Sequence, residues 1–189
     1  MANPEAAMPQ HPLEGRFGGS AKVSIAPAGP ASRLALRARP GAVSALSKAL
    51  GVRLPEAPKT SALAKASDPT SRRVLWIGPD EWLVIDKGGA DLMKACEKAS
   101  GVFSAVDVSN RNTAILVSGP AAEATISAGC PQNLSLATFP VGACARTLLG
   151  KTEIVLLREA DDVFRVEVWR SFSAYAFAFL AAAGRSPML

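Results

Sequence analysis

The sequence predicts an α+β domain built mainly on antiparallel sheet, with helices interspersed between the strands. Three observations predict it. RVLWI and EWLVID flank Gly78-Pro79-Asp80, two apolar strands around a tight turn. DVFRVEVWR alternates cleanly, with Phe164, Val166 and Val168 on one face and Arg165, Glu167 and Trp169 on the other. Between such segments lie short stretches of helical spacing, so strands pair as hairpins rather than through long helical crossovers.

LALRAR at 34–39 alternates apolar and basic residues as a half-buried strand does, and Pro40-Gly41 then ends it before AVSALSKAL, whose spacing suits a short helix that Gly51 closes. From Val52 to Thr70 the chain is rich in Pro, Ser, Lys and Ala without periodicity, which predicts a long irregular connection. After the hairpin, Leu92, Met93, Cys96 and Ala99 share one face of a helix, and Asp91 stands near its positive end. FSAVDVSN and NTAILVSG read as a strand pair with Arg111 near the turn, and Gly119-Pro120 opens a helix that stops at Gly129. ARTLLGKTEIVLLRE and DVFRVEVWR form a further strand pair after the loop CPQNLSLATFPVG. Ser171 or Ser173 is placed to cap the last helix.

That last helix has no charged side chain from Ala174 to Gly184, so it is apolar on every side. One side must meet the domain core; the other meets a partner or the ordered N-terminal tail, unless the whole helix is sunk in its own core. The aromatic and basic residues around it, Trp169, Arg170, Tyr175, Phe177 and Phe179, are the candidate partner interface. Residues 1–31, rich in Pro and Gly and without the apolar block of a secretory signal, are expected to form a flexible or partner-bound tail, leaving 32–189 as a single domain in the cytoplasm. No apolar run approaches the roughly 20 residues of a membrane span, so no membrane partner is expected.

The net charge of +5 is local: residues 33–73 hold nine Lys or Arg against Glu56 and Asp68. That segment lacks interleaved aromatics and any nucleic-acid motif, so a solvated face or an acidic protein partner is the expectation rather than nucleic acid. The three cysteines, Cys96, Cys130 and Cys144, have no CxxC spacing, and the single histidine, His11, lies in the tail, so buried reduced thiols are expected and no metal site. The body of the chain lacks histidine, a Walker loop and a GxGxxG turn, which removes the usual general base and phosphate cradles. The carboxylates Asp80-Glu81, Asp107, Glu153 and Asp161-Asp162 show no acid–base spacing. No catalytic, cofactor-binding or metal residue is assigned.

Several stretches carry a resemblance: LWIGPDEWLVI at 75–85, VDVSNRNTAILVSGP at 106–120, GCPQNL at 129–134, FPVGACARTLLGKTEIVLLRE at 139–159 and FRVEVWRSFSAY at 164–175. They resemble the gamma subunits of heterotetrameric sarcosine oxidase, and Asp107-Val108-Ser109 with Ser118-Gly119-Pro120 is similar to the folate-binding fold of the glycine-cleavage aminomethyltransferase. The resemblance implies a structural subunit beside alpha, beta and delta partners. The complex demethylates sarcosine oxidatively to glycine, forms hydrogen peroxide and passes the one-carbon unit to tetrahydrofolate. It implies that FAD, FMN, NAD and folate belong to the larger subunits and zinc to delta, with none bound by this chain. Where the aminomethyltransferases carry an acid pair this chain has Thr152-Glu153, a departure that counts against the alternative of a free-standing folate-dependent transferase.

Overall fold

The computed structural model describes residues 11–64 and 72–185. The first ten residues of the expected tail, Lys65 and Asp68 of the basic segment, and residues 186–189 lie outside it. In chain order the strands are β1 (Gly18–Ser20), β2 (Val23–Pro27), β3 (Ser32–Ala38), β4 (Ser61–Leu63), β5 (Arg73–Gly78), β6 (Glu81–Asp86), β7 (Phe103–Asp107), β8 (Asn112–Ser118), β9 (Cys144–Leu149), β10 (Thr152–Ala160) and β11 (Val163–Trp169). The helices are α1 (Pro40–Leu50), α2 (Leu92–Cys96), α3 (Ala122–Ser127) and α4 (Ser173–Ala183), the last preceded by a 3₁₀ turn, Arg170–Phe172.

The strands form two sheets in which every pairing is antiparallel: a six-stranded sheet ordered β1-β2-β8-β11-β10-β9 and a five-stranded sheet ordered β4-β5-β6-β3-β7. Strand alternation sends Leu34, Leu36, Val74, Trp82 and Val84 to the face that α1 and α2 cover, with Ala42, Leu46, Leu50 and Leu92 packed against them. On the six-stranded sheet, Ile25, Ile115, Val117, Phe164, Val166 and Val168 meet α3 and α4 through Ile126, Ala176, Phe177 and Leu180. The opposite faces meet each other through Leu75, Leu83, Ile85, Cys144 and Leu157. The result is four layers, helices outside and two sheets within.

The fold class and most elements match the sequence reading; several particulars differ. Residues 11–31 are not a tail: β2 pairs with β8, β1 with β2, and Leu13 is fully buried, because Val23 and Ile25 alternate toward the helix-covered core. The segment 103–119 is not a strand pair. β7 belongs to the five-stranded sheet beside β3, whereas β8 lies in the other sheet between β2 and β11. Residues 108–111 therefore carry the chain from sheet to sheet. The segment 145–159 breaks at Gly150-Lys151 into β9 and β10, making a three-strand meander with β11. Neither Ser171 nor Ser173 caps α4: its N-cap is Phe172, without a side-chain bond, and the Ser173 hydroxyl donates back to the Arg170 carbonyl at 2.7 Å.

α1 ends as expected on Gly51, whose φ of 67° suits a residue without Cβ. The helix at Asp91 is only five residues long, capped by a bond from the Lys94 amide to the Asp91 carboxylate at 3.0 Å. The expected irregular connection from Val52 includes β4, which edges the five-stranded sheet.

Candidate functional site

The face of α4 answers what its apolar surface meets. Ala176, Phe177 and Leu180 point into the core, with Phe177 only 5 % exposed, and Phe179 is half-buried. Phe179 and Tyr175, with ring centroids 6.3 Å apart, lean over the loops at Gly129 and Gly150. A Cβ on Gly129 would meet Phe179 at 2.4 Å and one on Gly150 would meet the Tyr175 hydroxyl at 2.4 Å, so glycine there permits the approach. The Lys151 amide donates to that hydroxyl at 3.0 Å. The outward stripe is Ala174, Ala178 and Ala182, exposed but small.

Of the five candidate interface residues, Phe177 therefore belongs to the domain's own core and Phe179 mostly so. Trp169, Arg170 and Tyr175 remain on the surface, Trp169 at 44 % and Tyr175 at 39 % exposure. Trp169 ends β11 and faces the inner side of its sheet, because it shares parity with Arg165 and Glu167. The Arg111 guanidinium lies 5.2 Å from its ring centroid, a cation–π contact, and Phe172 sits 6.2 Å away, itself exposed. The Arg170 amide donates to the Arg111 carbonyl at 2.7 Å, fastening the 3₁₀ turn to the β7–β8 connection. Sequence reasoning placed Arg111 at a turn but missed its union with Trp169, since the two are distant along the chain.

Trp169 stands at the mouth of a cleft of about 330 Å³ between the sheets, whose walls include Ala35, Leu83, Val106 and Val155. Arg37 and Arg146 both pair with Glu81 there, at 3.0 and 2.7 Å. Deeper, the sheets are joined by a buried ion triad: Glu167 accepts from Arg33 Nε and from Arg165 Nε, each at 2.7 Å, and all three side chains are at most 5 % exposed. Arg33 also donates to the Ala31 carbonyl at 3.1 Å, while Arg165 Nη2 has no partner among the described residues. The basic segment read from the sequence is thus dispersed. Arg33 is buried, Arg37 and Arg53 face acids, and Arg72 pairs with Asp86 at 3.0 Å.

The Asp107-Val108-Ser109 stretch is a turn lock. Bonds from the Ser109 hydroxyl and from its amide, the latter at 2.8 Å, hold the Asp107 carboxyl below the usual carboxylate range, and the Ser109 hydroxyl accepts from the Arg33 amide at 2.8 Å. At the position of the acid pair, Thr152 is buried with its hydroxyl turned to the Glu153 carbonyl, and the Glu153 side chain is exposed, so two neighbouring carboxylates are not presented. The three thiols are free and buried, and burial pushes Cys144 up to about 12. Among the described residues no cluster of His, Cys, Asp and Glu could hold a metal, and no helix is long and apolar enough to cross a membrane.

His11 anchors the N-terminal segment as a neutral ring: Nδ1 accepts from the Leu13 amide at 3.2 Å and Nε2 lies 2.9 Å from the Thr113 hydroxyl. Burial first, then Arg33 and Arg170, lower its pKa below the ordinary 6.5, against a small opposing pull from Glu14. The unfolded chain binds this proton more readily. The contribution to stability is therefore complete above 6.5 and is lost as pH falls through the lower folded-state value. Because His11 is the single histidine, its ring protons titrate without ambiguity by NMR. We expect a midpoint below that of a model peptide; a midpoint at or above it would contradict the neutral anchor.

A family model described as "Sarcosine oxidase, gamma subunit family" matches residues 35–186. A sarcosine oxidase subunit gamma from Corynebacterium sp. (strain P-1) is 30% identical over 154 residues, 79% of this chain and 74% of that one. Among solved structures, a chain of the heterotetrameric sarcosine oxidase from Corynebacterium sp. U-96 in complex with pyrrole 2-carboxylate superposes with a TM-score of 0.80 at 26% identity, over 88% of this chain and 87% of that chain. The glycine cleavage system aminomethyltransferase T from Bartonella henselae has a TM-score of 0.62 at 14% identity, over 87% of this chain and 49% of its own length, which shows a shared fold. With its two antiparallel sheets, its outer helices and the matched span from β3 through α4, the chain belongs to the sarcosine oxidase gamma subunit family.

Proposed function

We propose that this chain is the assembly subunit of a cytoplasmic heterotetrameric sarcosine oxidase, holding alpha, beta and delta partners and carrying no active site of its own. The observation that carries this reading is the superposition, over most of both chains, on a component of such an oxidase. The chemistry of the described residues supports it. The one histidine is fixed between Leu13 and Thr113, the thiols are buried, and Arg33, Arg165 and Glu167 are engaged with one another between the sheets. FAD, FMN, NAD, tetrahydrofolate and zinc are assigned to the partners. The Thr152-Glu153 step does not offer the acid pair that folate chemistry uses in the aminomethyltransferases, and no step is routed through this chain.

The surface that fits a partner is the exposed Trp169, Phe172 and Arg111 group with Arg170 and Tyr175 nearby, since large aromatics beside arginine dominate interface energetics. The test is purification from the native source, or after co-expression with the neighbouring oxidase subunits. The chain is expected to co-elute with a flavin-containing complex in fixed stoichiometry. Elution as a lone species with the partners assembled without it would sink the reading. Trp169→Ala is expected to weaken incorporation about tenfold or more while leaving the melting temperature of the free chain within a degree or two, because the ring is largely outside the core.

A further inference from the structure

Four strands form the sheet edges, and they differ in how open they are. β1 is three residues long with a glycine at φ 118°, and β4 is three residues long and tied to Gly142 through the Ser61 hydroxyl. β9 abuts the other sheet, its Cys144 amide donating to the Lys59 carbonyl at 3.1 Å. β7 has none of these features. It pairs with β3 in unbroken register over five residues, without bulge, proline or lysine, and most of it is exposed.

Two bonds set the phase of that ladder: the Val108 amide to the Arg33 carbonyl at 2.9 Å and the Arg39 amide to the Val102 carbonyl at 3.0 Å. Even-numbered residues of β7 thus bond to β3, and Phe103, Ala105 and Asp107 turn their N–H and C=O groups to the open edge. Among the described residues, no hydrogen bond reaches those six groups. Beside the edge, Val106 and Ser104 face the inter-sheet cleft, Val106 at 52 % exposure, and Val102 is 72 % exposed just before the strand. Across the cleft stands Trp169 under Arg111.

We propose that β7 is the docking strand for an extended segment of another oxidase subunit, which adds as a sixth strand to the five-stranded sheet and sends apolar side chains at alternate positions into the cleft between Val106 and Trp169. The charges along the cleft are balanced, since Arg37 faces both Asp80 and Glu81, Arg146 faces Glu81, and Glu153 lines the same wall as Arg111. The added segment is therefore selected by its extended backbone, which alone satisfies the open N–H and C=O groups of β7. This inference rests on the chain being an oxidase subunit and specifies where the contact lies.

The test is Ala105→Pro in the full chain, co-expressed with the other subunits. The Ala105 N–H is not used by the fold, so an edge proline there removes the outward donor and obstructs an added strand while β3 pairing persists. Retention of the variant in the complex is expected to fall about tenfold or more, as loss of edge hydrogen bonds and close contact requires. Hydrogen exchange on the wild-type chain gives an independent reading: amides 103, 105 and 107 are expected to slow markedly in the complex relative to the free chain. A complex that holds wild-type chain but leaves those amides as fast as in the free chain overturns the inference while leaving the subunit role intact. Failure of the wild-type chain to enter any complex overturns the subunit role itself. Protection that arises in a homodimer of this chain also overturns the proposed partner.

Discussion

Glu167→Ala is expected to lower the thermal midpoint of the full chain by on the order of 10 °C. The Glu167 carboxylate is fully buried and is the one acid shared by Arg33 and Arg165, at 2.7 Å each. Removing it strands two cations between the sheets, and breaking such a buried group by taking away one partner destabilises by about 3–5 kcal/mol. For a domain of this size each kcal/mol moves the midpoint by roughly 2–4 °C. The charge explanation has a further consequence. Replacing Arg33, Arg165 and Glu167 together with Met, Met and Leu is expected to recover most of the loss, because no uncompensated charge remains. A triple variant no better than Glu167→Ala would mean that lost packing, and not charge, causes the effect. A single variant that melts with the parent would mean that the triad does not hold the sheets together.

Phe177→Ala is expected to destabilise the free chain by about 3–5 kcal/mol in urea unfolding, with an unchanged slope. The side chain is almost fully enclosed between α4 and the six-stranded sheet, where truncation leaves a cavity lined by groups held by β-structure. Trp169→Ala supplies the contrast, since it leaves the free chain intact and acts on assembly. If Phe177→Ala lost less than about 1 kcal/mol and instead weakened the complex, Phe177 would be a docking residue after all.

Much of the fold could be read along the chain because it rests on local periodicity. The alternation in 162–170 puts Arg165, Glu167 and Trp169 on one face, as the structure has them, and helix α1 ends at Gly51 as the residues dictate, although it starts at Pro40, ahead of the helical spacing, because proline fits the first helical turn. The choice of pairing partner was not legible in the same way. FSAVD and NTAILVS alternate well enough for a hairpin, yet each pairs elsewhere, because alternation specifies a face and says nothing about which strand lies beside it. The N-terminal strands escaped notice for a related reason. β1 and β2 are short and rich in Gly, Ser and Pro, and their place comes from contacts with β8 and α4 rather than from propensity.

The candidate site divides along the same line. An all-apolar α4 could be read as pressing on something, but Phe177 and Tyr175 differ by two positions on a helix, and that rotation sends one into the core and the other toward solvent. From the sequence by itself come the α+β class, the strand faces, the absence of histidine from the body and the family resemblance, all set by residue type and short spacing. The tertiary structure alone decided that Arg33 crosses to Glu167, that Arg111 covers Trp169 and that β7 is left with an open edge. Each of these joins or exposes groups far apart in the chain, and their meeting depends on how two sheets stack, a quantity no local pattern encodes.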